Sequence, residues 1–362
     1  MYIKSVALKN YRNYSSARVE FSKGLNIVVG KNAAGKTNLV ESIYCSALGK
    51  SPRSNKYKDL IKWNESSCYI KVIVAKKYRD YTIEFGIDNT DKKRVAVDGV
   101  PLTRLSGLVG ILNVVFFSPD EIKLIKESPQ ERRKFMDISL SQQSGVYLDA
   151  LSKYNAILSQ RNKLLKEKFN DASLAAQLYA WDVQMAKYGA QIIIQRYAFA
   201  DSIAVYAKKI HSQITEGKED LSVSYESGLE RAEKSELESK FLQKLQQNFE
   251  KDKNLQYTTF GPHRDDLEIL SNGIDMRKFG SQGQQRTVAL SLKFAEIQLF
   301  KDEIGESPIL LLDDVLSELD EGRRRQLLEM SATLQTIITC TEFEEDVQNY
   351  KTIKIVSGQA LE

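Results

Sequence analysis

The sequence predicts an α/β domain that is interrupted by a compact, mainly helical insertion. Strand-like runs of alternating or β-branched residues fill 1–118 and return in 258–362, in both cases together with apolar residues at helical spacing. Between them, 119–257 is mainly helical in pattern, with apolar residues at 4-3-4 spacing from Tyr147 to Leu158. Because no Pro/Gly/Ser-rich linker separates these regions, we expect one split domain around an insertion.

The first part, 1–118, is predicted to contain strands and one helix. Apolar residues recur at helical spacing from Val40 to Leu48, which predicts a helix after the preceding strand. Asp98 and Gly99 stand between two short apolar runs and predict a hairpin turn. The predicted strands cover 2–9, 18–29, 68–77, 81–87 and 111–117.

Further helices and strands are predicted in the insertion, 119–257, and in the last part, 258–362. The insertion carries a short strand at 221–225 and a helix over 233–251, and its periodicity never extends over enough heptads for a long coiled coil. In the last part, a helix over 282–300 has apolar residues on one face. Strands are predicted at 266–270, 308–315, 333–340 and near 352–356, with a helix near 321–333.

Composition excludes several classes of protein. Of the 362 residues, 42% are hydrophobic and 28% are charged, which excludes wholesale disorder. No run of about 18 apolar residues could span a membrane, and the opening residues lack the apolar core of a secretion signal. Cys45, Cys68 and Cys340 form no Cys-x-x-Cys pair, so we expect a cytoplasmic protein without disulfides or a transition metal. A net charge of +4 is too small for a polybasic coat, so a polyanion would require a local basic patch.

A phosphate-binding loop is predicted at 30–37. Gly30-Lys31-Asn32-Ala33-Ala34-Gly35-Lys36-Thr37 matches G-x-x-x-x-G-K-[ST] between a predicted strand and a predicted helix. The backbone N–H groups of such a loop and the following helix N-terminus hold phosphates. We expect Lys36 to reach the β- and γ-phosphate oxygens and act in catalysis, and the Thr37 hydroxyl to bind Mg²⁺.

An acidic pair follows the most apolar strand of the last part. Four apolar residues precede Asp313 and Asp314, as in a buried strand of a parallel sheet whose carboxyl end faces a ligand. We expect Asp313 to bind Mg²⁺ and Asp314 to polarise the attacking water. The pair is much farther from Lys36 than in a small GTPase, and no Asn-Lys-x-Asp guanine motif occurs. The predicted nucleotide is therefore ATP.

A second anion-binding turn is predicted at the start of the helix over 282–300. Ser281 and Gly283 belong to the small-residue run Ser281-Gln282-Gly283-Gln284-Gln285-Arg286. One nucleotide does not need two such turns, so we expect this turn to face the nucleotide of another protomer. The loop 317–320 is predicted to cross the same two-fold interface.

These motifs resemble the heads of ABC/SMC-type P-loop ATPases, and among them the bacterial recombination mediators of the SMC branch. The resemblance rests on Tyr11-Arg12-Asn13-Tyr14, on the three motifs above and on segments 118–137, 160–165 and 259–269. It implies a mixed sheet with flanking helices and an antiparallel part, with a compact insertion in place of long arms. It also implies that Arg12 lies near the nucleotide and that Ser281 and Gly283 cap the γ-phosphate in trans.

The resemblance implies a function as well. The expected protein is an ATP-gated homodimeric clamp on DNA that acts with RecR, and with RecO and RecA in the pathway, at single-strand gaps in repair, replication and SOS induction. No glutamine follows the Phe116-Phe117 strand, and Thr339-Cys340-Thr341 stands in the place of the switch histidine, so a slow, DNA-dependent ATPase is expected. Two alternatives stay open: the ATPase subunit of an ABC-type transporter, and a structural organiser that binds ATP without turnover.

Basic clusters supply candidate DNA contacts, although a solvated surface is the alternative for each. Contact with backbone phosphates requires clustered cations, and no aromatic platform for base stacking is evident, which favours duplex backbone contact. The polar run 261–266 is interpreted as a structural turn with an Arg–Asp pair. The candidate DNA-binding residues are Lys50, Arg53, Lys56, Arg132 and Arg133.

Overall fold

Contacts between residues divide the chain into two compact units. A computed structural model describes residues 1–168, 170–343, 347 and 349–361. The first unit comprises Met1–Glu121 and Glu296–Glu362, and the second comprises Ile122–Ala295. The second unit therefore extends beyond the predicted end of the insertion at 257. The reason is that the strand over 266–271 pairs along its whole length with the strand over 221–226, so it belongs to the same sheet.

An antiparallel sheet forms one layer of the first unit. Its strand order is β2-β1-β4-β5-β6-β7, and every neighbouring pair is antiparallel. Alternate residues of the long central strands are buried, as expected of a sheet with one face on the core. The strands are β1 Tyr2–Tyr11, β2 Tyr14–Glu20, β4 Ser67–Ala75, β5 Asp80–Asp88, β6 Lys93–Val97 and β7 Val100–Pro101.

The single strand predicted over 18–29 is wrong. It is two strands in different sheets, β2 and β3 (Leu25–Val29). The Asn26 side chain accepts from the Ser22 amide at 2.7 Å and donates to the Gly24 carbonyl at 2.9 Å, which stabilises the turn between them. This turn lets β3 leave the antiparallel layer.

A mainly parallel sheet forms the other layer of the first unit. Its order is β15-β14-β3-β13-β12-β8, with only β15 antiparallel to its neighbour. The strands besides β3 are β8 Val114–Phe117, β12 Ile309–Asp313, β13 Thr336–Cys340, β14 Tyr350–Val356 and β15 Gln359–Leu361. The helices wholly within this unit are α1 Lys36–Leu48 and α10 Glu321–Ser331. Only β13 separates β3 from β12, and all three end at the same edge of the sheet.

The second unit packs helices on a three-stranded antiparallel sheet. Its two longest helices are α4 Gly145–Glu167 and α5 Leu174–Ile214. The 41 residues of α5 form one continuous helix. The sheet has the order β11-β10-β9, from β9 Leu221–Glu226, β10 Asp266–Ser271 and β11 Ile274–Asp275. The other helices are α2 Lys123–Lys126, α3 Pro129–Gln143, α6 Lys234–Gln247, α7 Phe249–Leu255, α8 Met276–Phe279 and α9 Gln282–Ile304, the last of which continues into the first unit.

A buried ionic network holds the helices of the second unit. The Arg161 guanidinium, fully buried, donates to Asp182 Oδ1 and Asp252 Oδ2 at 2.7 Å each and to Thr258 Oγ1 at 2.8 Å. His263 joins this region, with its Nε2 3.1 Å from the Thr258 carbonyl oxygen and its Nδ1 2.7 Å from the Tyr154 hydroxyl. The polar run 261–266 thus lies in hydrogen-bonded structure, as interpreted from the sequence.

Among the described residues, none of the helices combines the length and the apolar character that crossing a membrane would require.

Candidate nucleotide-binding site

The loop over 30–37 follows β3 and ends where α1 begins. The Lys36 ammonium is buried and donates to the carbonyl oxygens of Gly30 at 2.7 Å and Lys31 at 3.2 Å. Gly35 has a φ of 121°, which favours glycine, and a Cβ on Gly30 would lie 2.4 Å from the Ile355 carbonyl oxygen. Lys31, Asn32 and Ala33 are exposed at the tip. The loop can therefore present its N–H groups and the α1 N-terminus to a phosphate chain.

The turn after β1 supports this loop. The Asn13 side-chain amide donates to the Ala34 carbonyl oxygen at 2.8 Å, and the Tyr14 hydroxyl donates to the Gly35 carbonyl oxygen at 2.9 Å. From the other side, the Gly358 amide donates to the Ala34 carbonyl at 2.9 Å. The loop backbone is thus held by side chains from the opening motif and by the turn between β14 and β15.

Arg12 is placed beside α1. Its guanidinium donates to Glu41 Oε1 and Oε2 at 2.7 and 2.9 Å and to the Asp59 carbonyl at 2.7 Å. Glu41 is buried, and the Tyr11 hydroxyl also donates to it, at 3.1 Å. Arg12 therefore lies one helical turn from the loop over 30–37, and its contact with a nucleotide stays a prediction.

Thr37 and Asp313 meet across the edge of the parallel sheet. The Thr37 hydroxyl donates to Asp313 Oδ1 at 3.0 Å, and the Thr339 hydroxyl donates to the same oxygen at 2.7 Å. Burial raises the pKa of the Asp313 carboxyl, whereas these two hydrogen bonds act to lower it. The strand order explains the meeting, because Thr339 on β13 lies directly beside Asp313 on β12.

Asp314 adopts a backbone conformation that is unusual for a residue other than glycine. Its φ is 55°, and its amide donates to the Thr339 hydroxyl at 2.9 Å. Its side chain is exposed beyond the end of β12. The left-handed turn thus directs the chain away from the sheet immediately after the buried carboxylate, and such conformations cluster at functional sites.

The oxygen atoms of Thr37 and Asp313 fit a Mg²⁺ ion. Mg²⁺ prefers oxygen ligands and binds proteins through one or two carboxylates, with phosphate and water oxygens completing its shell. Within the described ranges, no group of three or more His, Cys, Asp or Glu side chains forms a separate metal site. A single carboxylate and a hydroxyl, 3.0 Å apart at a phosphate loop, are the donors that a nucleotide-bound Mg²⁺ would require.

The predicted second anion-binding turn precedes α9. The Ser281 hydroxyl accepts from the Gln284 amide at 3.2 Å, and the Ser281 amide donates to Gln284 Oε1 at 3.0 Å. This reciprocal pair is a capping box and fixes the start of the helix. Ser281 is exposed and Gly283 half-buried. Their action on a partner subunit's nucleotide stays a prediction.

Comparisons with known proteins identify the family of this chain. Residues 2–360 match the family model of the RecF/RecN/SMC N-terminal domain. The chain is 44% identical to the DNA replication and repair protein RecF of Clostridium tetani, over all of both chains. It is 45% identical to the protein of the same name from Lachnoclostridium phytofermentans, over 96% of this chain and 95% of that one. The chain belongs to the RecF family.

Solved structures support the fold of this RecF-family chain. A structure described as the recombination mediator protein RecF with ATP in the RecFOR pathway matches with a TM-score of 0.93 and 36% identity, over 99% of this chain and 96% of that one. An SMC head bound to the C-terminal winged-helix domain of ScpA matches with a TM-score of 0.57 and 19% identity, over 99% and 96% of the two chains. The predicted ABC/SMC-type head with a compact insertion is confirmed.

One predicted DNA contact is wrong. Arg132 of this RecF-family chain is buried, and its guanidinium donates to both carboxylate oxygens of Asp266, at 2.6 and 2.9 Å. A buried, bidentate ion pair leaves no charge for a DNA phosphate. Arg133 is half-buried and donates to the Asp265 carbonyl at 2.7 Å, so it too stabilises the turn before β10. The predicted Arg–Asp pair within the run 261–266 is wrong: Arg264 donates to the Thr258 carbonyl oxygen at 3.3 and 3.0 Å, and the arginine bound to Asp266 is Arg132 of α3.

The other predicted DNA contacts lie on one loop of the first unit. Lys50, Arg53 and Lys56 are exposed on the segment after α1. Arg53 donates to Asn38 Oδ1 at 3.1 Å, and Asn38 in turn donates to Asn13 Oδ1 at 2.9 Å. The loop is thus hydrogen-bonded to the residue that follows Thr37, next to the phosphate loop.

Sequence reasoning missed the roles of Thr339 and Gly358. In the sequence Thr339 stands where a switch histidine is expected, and in the structure its hydroxyl links Asp313 to the Asp314 amide. A threonine at the carboxyl end of a buried strand was the available signal. Gly358 has a φ of 75° and follows β14, a position that only the strand order brings beside Ala34.

Proposed function

We propose that this RecF-family protein binds ATP and DNA in recombinational repair, as an ATP-gated dimeric clamp. The observation that carries the proposal is the 3.0 Å contact between Thr37 and Asp313, residues on separate motifs of the sequence. It brings together the oxygen donors for Mg²⁺ at a loop built for phosphates. The curated relatives are named DNA replication and repair proteins over their whole length, which argues against the transporter alternative.

Binding of the triphosphate involves residues of the loop over 30–37. The N–H groups of Lys31, Asn32, Ala33, Ala34 and Gly35, together with the α1 N-terminus, surround the phosphates. The Lys36 ammonium exchanges its bonds to Gly30 and Lys31 carbonyls for phosphate oxygens, which is favourable because these are charge-assisted contacts. Thr37 and Asp313 would hold Mg²⁺, which would neutralise negative charge on the phosphates.

Hydrolysis uses Asp314 as the base that orients and polarises water. Its exposed carboxylate follows Asp313 directly, and the left-handed turn fixes its direction. The Thr339 hydroxyl is occupied by Asp313 and the Asp314 amide, so it is not free to assist the water as a switch histidine would. Slow turnover follows, which suits a switch better than a metabolic enzyme.

Each subunit contributes half of a working site. Ser281 and Gly283 of a partner subunit supply hydroxyl and N–H donors for the γ-phosphate, so ATP stabilises the dimer by mass action. ATP hydrolysis then releases the dimer and its DNA. The clamp acts at single-strand gaps with RecR, and with RecO and RecA in the pathway, in repair, replication and SOS induction.

Analytical ultracentrifugation tests this proposal. We expect dimers with ATP and Mg²⁺, and monomers with ADP or no nucleotide. Ser281→Arg should abolish the ATP dimer but preserve ATP binding by the monomer, whereas Ser235→Arg, an equal charge on the exposed start of α6, should dimerise normally. An association state that is independent of the nucleotide would refute the proposal that ATP controls dimerisation.

Phosphate release tests the role of Asp314. Asp314→Asn keeps the size of the side chain and tolerates the positive φ, so we expect an ATP-bound dimer that accumulates because turnover is lost. Rapid hydrolysis by this variant would overturn the assignment of Asp314. If the wild-type protein releases no phosphate with or without DNA, the structural-organiser alternative is favoured instead.

A further inference from the structure

Two segments of the first unit form one cationic surface that the sequence did not bring together. One is the loop over 53–60 after α1, and the other is the turn over 88–93 between β5 and β6. The Lys58 amide donates to Asp91 Oδ1 at 2.9 Å. The Lys93 ammonium donates to the Tyr57 hydroxyl at 2.9 Å and lies 4.4 Å from the centre of its ring. We call these two segments the two-loop surface.

The carboxylates of the two-loop surface are bound to its own backbone and hydroxyl groups. Asp88 Oδ1 accepts from the amides of Thr90 and Lys92 at 2.9 and 3.2 Å and from the Thr90 hydroxyl at 2.5 Å, and the hydroxyl bond leads the contacts that lower the pKa of Asp88. Asp91 accepts from the Lys58 amide, as described above. These acids shape the turns as Asx-type caps.

Arg53 of the two-loop surface lies 4.0 Å from Glu41 Oε2, whereas three lysines of this surface form no such ion pair. Lys56, Lys58 and Lys92 are exposed, and within the described part of the chain none of them lies at ion-pair distance from a carboxylate. The charge of Lys92 nevertheless acts on Asp88 and contributes to lowering its pKa. By contrast, exposed lysines of the second unit such as Lys153 and Lys218 are paired with neighbouring carboxylates. Three exposed ammonium groups on a support that hydrogen bonds join are suited to a polyanion.

The same surface is hydrogen-bonded to the candidate nucleotide site. Arg53 donates to Asn38, Asn38 donates to Asn13, and Asn13 donates to the Ala34 carbonyl of the phosphate loop, at 3.1, 2.9 and 2.8 Å. The phosphates of ATP already have the loop over 30–37 and Lys36, so the additional cations serve a different polyanion. Because these cations are spread over two loops of the chain, we expect them to contact several phosphates of one polymer.

We infer that the two-loop surface is where the backbone phosphates of DNA bind, through Lys56, Lys58 and Lys92. This inference rests on the proposed function and adds the turn over 88–93 to the contacts predicted from the sequence. Lys93 acts as a positioning residue, because its ammonium holds Tyr57 and so joins the loops. The ligand is recognised as a chain of phosphates, without readout of the bases.

The test compares two triple variants of the full chain with equal net charge. In Lys56→Gln/Lys58→Gln/Lys92→Gln the unpaired cations are removed, and in Lys153→Gln/Lys218→Gln/Lys234→Gln three lysines near carboxylates are removed. Binding of a fluorescent 30-base-pair duplex and of a gapped duplex is titrated with ATP and Mg²⁺ at several salt concentrations.

The expected result is specific to the first variant. Each lost phosphate contact lowers the slope of log affinity against log salt by roughly 0.9, so the slope should fall by up to roughly 3 and the affinity at low salt by roughly 10- to 100-fold. The control triple should match the wild-type protein. Retained thermal unfolding and ATP binding would show that the first variant is folded.

Two other results are separable. If the first variant matches the wild-type protein in slope and affinity, the two-loop surface is not the DNA contact, although the clamp proposal stands. If the wild-type protein does not bind either DNA, the proposed function fails together with this inference. An equal loss in both triple variants would show that only net charge matters, which also overturns the inference.

Discussion

Replacing Thr339 by valine tests how much the Thr339 hydroxyl stabilises the Asp313 carboxylate, while the other residues of the site stay unchanged. The substitution keeps the β-branched shape but removes a hydroxyl that donates to Asp313 Oδ1 at 2.7 Å and accepts from the Asp314 amide at 2.9 Å. A hydrogen bond to a charged group contributes about 1.5–3 kcal/mol. We therefore expect Thr339→Val to lower the free energy of unfolding by about that amount when the pH is above the pKa of Asp313.

The pH dependence of this effect has a defined sign. Burial already raises the pKa of Asp313, and loss of the Thr339 bond should raise it further because the charged form loses a donor. The destabilisation is largest above the Asp313 pKa. As the pH falls through this pKa the carboxyl is protonated, and the cost should shrink toward that of a neutral hydrogen bond, about 1 kcal/mol. Binding of ATP with Mg²⁺, which needs the carboxylate, should fail at a higher pH than in the wild-type protein.

Denaturant unfolding and titration with a fluorescent ATP analogue, each between pH 5 and 8, measure both quantities. Thr339→Ser keeps the hydroxyl and should retain most of the wild-type behaviour. Thr336→Val removes a buried hydroxyl at the other end of β13, which donates to the Ser331 carbonyl at 3.3 Å, and should not alter the pH profile of ATP binding. If Thr339→Val binds ATP with the wild-type affinity and pH profile, the hydroxyl does not tune Asp313.

Three further predictions concern the loop support and the second unit. Asn13→Ala should weaken ATP binding about 10-fold in the titration with the fluorescent ATP analogue, because about 1.4 kcal/mol of hydrogen bonding to the phosphate loop is lost. Arg18→Ala on the exposed face of β2 should leave the ATP affinity unchanged. Arg161→Met should lower the free energy of unfolding by about 3–5 kcal/mol in denaturant, because two buried aspartates lose their partner. Lys163→Met on the same helix should lower it by less than about 0.5 kcal/mol. Burial lowers the pKa of His263 to about 4, below its unfolded value of about 6.5. The contribution of His263 to stability is therefore complete above pH 6.5 and is lost as the pH falls toward 4. The free energy of unfolding should rise by roughly 2 kcal/mol between pH 5 and 7, and His263→Gln should remove this rise.

Each of these results has a contrary outcome. Equal ATP affinity for the Asn13 and Arg18 variants would mean that the loop does not need the opening turn. A small, equal cost for the Arg161 and Lys163 variants would mean that the two aspartates find other partners. An unchanged pH profile of stability in the His263 variant would assign the titration to other groups.

Patterns that are local in sequence predicted the phosphate loop, the Asp313 strand and most elements. These depend on spacing within a few residues, such as the Gly30-to-Thr37 run or the alternation in β4. The roles of Thr339 and Gly358 could not be predicted in the same way, because they follow from which strand lies beside which. For the same reason the local pattern around Arg132 predicts a surface cation, because its partner Asp266 is 134 residues away in sequence.

The strand order has a consequence for how the protein is made. Both neighbours of β3, namely β13 and β14, come from residues 336–356, although β3 itself is complete at residue 29. At a ribosomal rate of roughly 5–20 residues per second, β3 waits roughly 15 to 60 seconds for its partners. During translation the nascent chain therefore carries an unpaired apolar strand and a phosphate loop that lacks its hydrogen bond from Gly358. Truncated products that stop before residue 336 cannot complete this sheet, so premature termination leaves no ATP-competent fragment.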